Sequence, residues 1–285
     1  MPTPQALLKT WLDRQLDDAG KSWLAEKLSV VGTGNDRALY LAIAMVTRKL
    51  GRDDLQLSAA DFADADAACS GWIPRNWSVD QAARTLLLIS IPDDGSFPQH
   101  FEKLCQTADI NELITFYLGL PLYPHPEALV ARACEGIRGN IRPAFDAVAL
   151  NSPYPAAHLP ENAWNQMVLK ALFIFCPLHP IQGLDARAND ELTRMLCDYA
   201  HERWAASRVV PAELFRCIAQ KPSADGLADL ARALNGDVVS ECKGAALALH
   251  GATHPEAKAL LASAPDLVAG IASGELNWSF LETES

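Results

Sequence analysis

The residues best suited to chemistry lie in one stretch, 162–208, NAWNQMVLKALFIFCPLHPIQGLDARANDELTRMLCDYAHERWAASR, where polar and charged groups are set into segments apolar enough to be core. Nine of them are candidates for binding a ligand or partner: Asn165, Lys170, His179, Asp185, Arg187, Tyr199, His201, Glu202 and Arg203. Each must find water, a partner or a ligand, because a buried polar group left unpaired costs about 1–3 kcal/mol. Lys170 falls on a polar stripe with Asn162 and Gln166 at i, i+4, i+8 and can snorkel, pair with a carboxylate, or serve as a Schiff-base or proton-transfer lysine. Arg187 offers a bidentate fork for a carboxylate or phosphate, while Asp185 and Arg187 can equally cap helices or pair together. Cys197 and His201, four residues apart, could make a thiolate–imidazole dyad oriented by Asp198 or Glu202, yet the sequence supplies no recognisable oxyanion donor. The same spacing places Arg194, Asp198, His201 and Glu202 as ordinary ion pairs on a solvated helix face. Tyr199, Arg203 and Trp204 are rigid, amphipathic groups favoured in recognition surfaces.

Other constellations carry less. His250 and His254 have the i, i+4 spacing of metal ligands, but Gly251 lies between them and an acidic third ligand is missing nearby. Asp53, Asp54, Asp61, Asp64 and Asp66 lack the spacing and glycine of a calcium loop. GxGxxG, GxxxxGKT, GxSxG and HExxH do not occur, so no cofactor, metal or catalytic residue is assigned, and an enzyme is the less favoured reading.

Helices must position these groups. Apolar residues recur at spacings of three and four in segment after segment, and period-2 alternation is almost absent, which predicts an all-α chain. Helices are expected near 4–17, 21–31, 36–50, 59–69, 78–90, 97–107, 110–118, 126–138, 141–150, 161–176, 190–206, 211–218, 224–234, 236–250, 255–263 and 265–273. Ser58, Ser78, Asp109 and Asn189 stand where an N-cap oxygen can accept first-turn amides, and Pro126, Pro143, Pro211, Pro255 and Pro265 suit helix starts. Gly51, Gly71, Gly119, Gly139 and Gly251 follow apolar runs. Short helices joined by short turns predict an irregular α-α superhelix of stacked hairpins, HEAT- or armadillo-like, with a compact irregular helical bundle as the alternative. The echo between HPEALVARACEGI at 125–137 and THPEAKALLASA at 253–264 sets no fixed period. One domain over 1–285 is expected; the Pro-rich NSPYPAAHLP at 151–160 is the only place for a weak subdivision.

Composition narrows the partners. Twenty-four Lys and Arg against 35 Asp and Glu give a net charge of −11, which repels phosphate backbones and anionic headgroups and argues against nucleic acid. No apolar run reaches the 18 residues of a membrane span, and the N-terminus lacks the features of a signal peptide, so a cytoplasmic location is expected. Seven scattered cysteines without a CxxC pair fit reduced thiols.

The segment 162–208, together with SECKGAALALHG at 240–251, resembles the EboA family, most strongly over residues 160–251. Such proteins are encoded in bacterial gene clusters with a TatD-like hydrolase, a UbiA-type prenyltransferase and sugar-phosphate-type enzymes. The resemblance implies a part in making or moving a small secondary metabolite, including delivery of precursors toward the periplasm, and supplies no active-site residues. Two readings are therefore carried forward. The first is a non-catalytic scaffold, adaptor or metabolite-binding accessory protein, whose partners are other proteins of the cluster, a small metabolite, or both. The second is an enzyme for an anionic intermediate held by Lys170, Arg187 and Arg203 and acted on by His201 with Glu202; it requires those side chains to surround one pocket.

Overall fold

The computed structural model describes residues 2–278. The chain is all-α: among the described residues there are seventeen α-helices, two short 3-10 turns and no strand. Contacts separate it into two compact units, Met1–Ala163 and Trp164–Ser285, with the change-over inside one helix just behind the Pro-rich 151–160 stretch.

The first unit comprises α1 (Pro4–Gln15), α2 (Asp18–Val31), α3 (Asp36–Leu50), α4 (Ala59–Ala68), α5 (Val79–Leu88), α6 (Phe97–Thr107), α7 (Ile110–Leu118), α8 (Val130–Arg138), α9 (Arg142–Ala149) and α10 (Tyr154–His158). Local chemistry starts these helices: Ser58 and Asp109 form capping boxes with Asp61 and Glu112, and Ser78 does so with Gln81. α5 is the central element, buried at nine of its ten positions and packed against α1, α2, α3 and α7. Helices distant in sequence thus share one core, as in an irregular bundle; in a simple repeat stack each helical pair touches only its neighbours.

Burying α5 entirely places Asp80 and Arg84 in the core, 4% and 3% exposed. They form an i, i+4 ion pair at 2.7 Å. The remaining valences are met locally: Arg84 donates to the Ile43 carbonyl and the Thr47 hydroxyl, and Asp80 accepts from Thr47 and Ser78. Burial pushes the Asp80 pKa up, but the hydrogen bonds from Ser78, Arg84 and Thr47 outweigh it and hold the carboxyl below its ordinary value.

The second unit contains α11 (Glu161–Phe173), whose first turn closes the first unit, then α12 (Asp190–Ala205), α13 (Leu214–Gln220), α14 (Ala224–Leu234), α15 (Val239–Gly251), α16 (Pro255–Leu261) and α17 (Pro265–Ser273). α15 is its hub, buried continuously from Gly244 to Leu249 and packed on α13, α14 and α16. Gly244 permits this approach: a Cβ there would lie 2.6 Å from the Ala212 Cβ and 2.8 Å from its Cα.

Candidate functional site

The nine residues singled out from the sequence all fall in the second unit or on α11, and the structure distributes them among several separate contacts. Asn165 is 2% exposed and exchanges two amide hydrogen bonds with Asn189, at 3.0 and 2.9 Å, while Asn189 also caps α12 by accepting from the Leu192 amide. That pair ties α11 to the start of α12. Asp185 is spent on a two-bond salt bridge to Arg216, both bonds 2.9 Å. Arg187 stacks its guanidinium 4.7 Å from the Trp164 ring centroid. His179 stands 3.5 Å from Glu213, whose carboxylate also accepts the Leu178 amide at 2.7 Å. Lys170 is half-buried, and burial lowers its pKa from the ordinary lysine value.

On α12, His201 Nε2 lies 2.7 Å from the buried Asp229 carboxylate. Cys197 sits in the same corner. Burial, reinforced by the charge of Asp229, pushes its thiol up to about 12, so the thiolate a nucleophile needs is disfavoured at neutral pH. Glu202 is exposed and makes no side-chain hydrogen bond or ion pair among the described residues. Of the set Lys170, Arg187, Arg203, His201 and Glu202, Arg187 thus engages Trp164, His201 engages Asp229 and Arg203 engages Val209 and an aromatic pair, each a different neighbour.

Tyr199 and Arg203 belong to a different arrangement, which includes two aromatic residues outside the nine. Phe173 packs its ring 4.8 Å from Tyr199, and the Arg203 guanidinium lies 5.8 Å from the Tyr199 centroid and 5.9 Å from that of Phe175. Arg203 is oriented by donating to the Val209 carbonyl at 2.6 Å and makes no ion pair among the described residues. Phe173, Phe175 and Val209 are 55%, 73% and 49% exposed. Together they form an aromatic face around one unneutralised guanidinium.

Backbone geometry fixes that face. α11 ends in a Schellman motif: the Cys176 amide donates to the Ala171 carbonyl at 2.8 Å and the Phe175 amide to the Leu172 carbonyl at 3.3 Å. The residue between the last helical turn and Cys176 must then be left-handed, a place ordinarily taken by glycine; here it is Phe175, at φ 53°. α12 ends the same way, with Arg208 donating to the Arg203 carbonyl, Ser207 to that of Trp204, and Ser207 left-handed at φ 54°. A bulky residue held in this conformation with most of its ring in solvent carries strain of about 1–2 kcal/mol for a small packing return.

Two buried glutamates escaped sequence reading because their partners are distant in the chain. Glu213 anchors the 177–179 loop as described, and Glu241 accepts from the Trp204 indole at 3.0 Å and the Val210 amide at 2.7 Å. They hold the loops flanking the aromatic face. Arg232 stacks on Trp204, 4.1 Å from its ring centroid.

Among the described residues, no helix is long and apolar enough to cross a membrane. No curated protein and no solved structure matches the chain. The model of one family, described as metabolite traffic protein EboA, matches residues 4–219, far more than half of the length, and on that match the chain belongs to the EboA family.

Proposed function

We propose that this protein acts in metabolite handling as a non-catalytic accessory protein, and that it binds a protein partner of its pathway through the face formed by Phe173, Phe175, Tyr199 and Arg203. Family membership supports a role with a metabolite. The observation that carries the binding mode is Phe175, a phenyl ring 73% exposed on a left-handed backbone. Aromatic and arginine side chains dominate the binding energy of protein interfaces, and rigid ones lose little conformational entropy when buried. On a chain of net charge −11, an arginine without an ion-pair partner fits a partner that presents an apolar side chain beside a carboxylate.

The candidates Asn165, Asp185 and Arg187 serve in this reading to set α11, the 177–189 loop and α12 in place, while His179, His201, Lys170 and Glu202 stand outside the binding contact. The protein is taken to work in the cytoplasm, where its reduced cysteines are stable. The test is calorimetric titration against each purified protein encoded beside this gene. One of them should bind, and Phe175→Gly and Arg203→Ala should each weaken it at least about tenfold, the usual size of a hot-spot truncation. Equal affinity in wild type and both variants, or no binding by any of these proteins, overturns the proposal.

A further inference from the structure

The first unit holds a half-open cleft of ≈ 250 Å³ that none of the nine candidate site residues lines. It lies between the 69–78 loop, α7 and α9. Trp72 and Trp77 supply its wall from the loop, Ile114 and Leu118 its lining from α7, and Ala147 and Leu150 its lining from α9 and the residue after it. That wall is stiff. Trp72 is packed between Trp11 and Trp77, with ring centroids at 5.4 and 5.9 Å, and the loop is pinned by hydrogen bonds from the Leu55 amide to the Trp77 carbonyl and from the Val79 amide to that of Asp53, both 2.8 Å.

Polar groups converge on this apolar floor. Arg75 is exposed on the cleft and makes no side-chain hydrogen bond or ion pair among the described residues. Asn76 and Asn151 flank it, both left-handed, at φ 62° and 54°. Asp146 also lines the cleft, with its charge engaged by Arg142 at 2.6 Å. The indole N–H of Trp72 is buried without an acceptor among the described residues, an unmet donor in that wall. A preformed apolar cleft with a few placed polar groups is the ordinary form of a small-molecule site.

We infer that this cleft binds a compact apolar molecule bearing one carboxylate, the apolar body lying on Ile114, Leu118, Ala147 and Leu150 and the carboxylate on Arg75. The planar guanidinium matches a carboxylate through two parallel hydrogen bonds. One guanidinium balances one negative charge, which a carboxylate carries and a phosphate dianion exceeds. The volume falls just below the range of roughly 300–1,000 Å³ usual for ligand sites, which limits the body to one or two fused rings or its aliphatic equivalent. This site goes beyond the protein-partner reading and stands independently of the Phe175 face.

The experiment is calorimetric titration of the full chain with 2-naphthoate and, in parallel, with uncharged naphthalene-2-carboxamide. Naphthoate is expected to bind saturably and more tightly than the amide. Arg75→Ala, an exposed substitution that leaves the fold intact, should weaken naphthoate roughly 10- to 100-fold, the span of a charge-assisted hydrogen-bonded pair, and abolish its advantage over the amide. Leu118→Trp, which fills the cleft, should remove binding of both compounds with the melting temperature retained. The inference is overturned by the absence of saturable naphthoate binding, by equal affinity for the two compounds, or by an Arg75→Ala protein that binds naphthoate as wild type does.

Discussion

Replacing Phe175 separates strain from contact within a single side chain. At the left-handed C-terminal position of α11 an L-residue is disfavoured by about 1–2 kcal/mol relative to glycine. Against that stand three small terms. A ring that is 73% exposed retains only about a quarter of the roughly 1.5–3 kcal/mol that a fully buried phenylalanine contributes. The Arg203 contact, at 5.9 Å near the limit of a cation–π interaction, is worth about 0.5 kcal/mol at an exposed site. Glycine gains about 0.4–1 kcal/mol of freedom in the unfolded chain. These nearly cancel, so Phe175→Gly should change stability by less than about 1 kcal/mol, whereas truncating a buried phenylalanine costs about 3–5 kcal/mol. The sharper comparison is with Phe175→Ala, which loses the same ring but keeps the strain. The alanine variant should be less stable than the glycine variant by about 1 kcal/mol, read from urea midpoints at constant slope. Equal midpoints, or an alanine variant more stable than the glycine variant, would refute the strain argument; a loss above about 2 kcal/mol in both would show the ring to be a packing residue.

Further outcomes follow from other contacts. Gly244→Ala should destabilise by about 1–3 kcal/mol, since the added methyl would stand 2.6 Å from the Ala212 Cβ; an unchanged thermal midpoint would contradict the close packing of α15 on the segment ahead of α13. Glu241→Ala should cost about 2 kcal/mol, because the Val210 amide and the Trp204 indole lose their shared acceptor, and Glu241→Gln, which keeps one acceptor oxygen, should recover part of it in the same melt. Asp61 links stability to acid: burial raises its pKa, but the hydrogen bonds from Arg14 and Ser58 outweigh that and lower it to about 2. A depressed carboxylate stabilises the fold above its unfolded value of about 3.9 and loses that contribution as pH falls toward about 2. Asp61→Asn should therefore flatten the fall in stability of wild type between about pH 4 and 2; parallel pH curves would contradict the assignment.

Helix boundaries were legible where a local group dictates them. Asn189 caps α12 and Ser58 and Asp109 cap α4 and α7 as the sequence indicated, because capping is settled within four residues. The span expected as one helix over 126–138 instead opens as a 3-10 turn, Pro126–Leu129, before α8 begins at Val130. The helix expected over 161–176 ends at Phe173 because Phe175 turns left-handed without the glycine that signals such a stop. α10 lies in the stretch expected to be an ordered connection, where prolines mask a five-residue helix. All-α class was therefore readable from periodicity, while the irregular bundle packing of each unit depends on which faces meet, information that spacing does not carry.

The candidate site divides along the same line. Tyr199 and Arg203 share a helix face at i, i+4, and residue type had marked them, with Trp204, as rigid amphipathic recognition groups. Phe175 was hidden by its apolar surroundings in ALFIFC, which read as core. Asn165, Asp185 and His201 were expected to need a partner or ligand; the groups they meet, Asn189, Arg216 and Asp229, lie 24, 31 and 28 residues away, and only the folded chain joins them. The family match reaches back to residue 4 and ends at 219, so it takes in the N-terminal unit, which in the sequence resembled the family only in being helical, acidic and of appropriate length, and stops short of SECKGAALALHG.

The central claim, binding without catalysis, is tested most directly by metabolite profiling of a deletion strain complemented with two variants that both fold. Lys170→Met with His201→Gln removes the groups a catalytic site would use while keeping their bulk and the donor to Asp229; Phe175→Gly with Arg203→Ala removes the exposed face. The account predicts normal metabolite output from the first and loss of output from the second. Loss from the first with normal output from the second would contradict it.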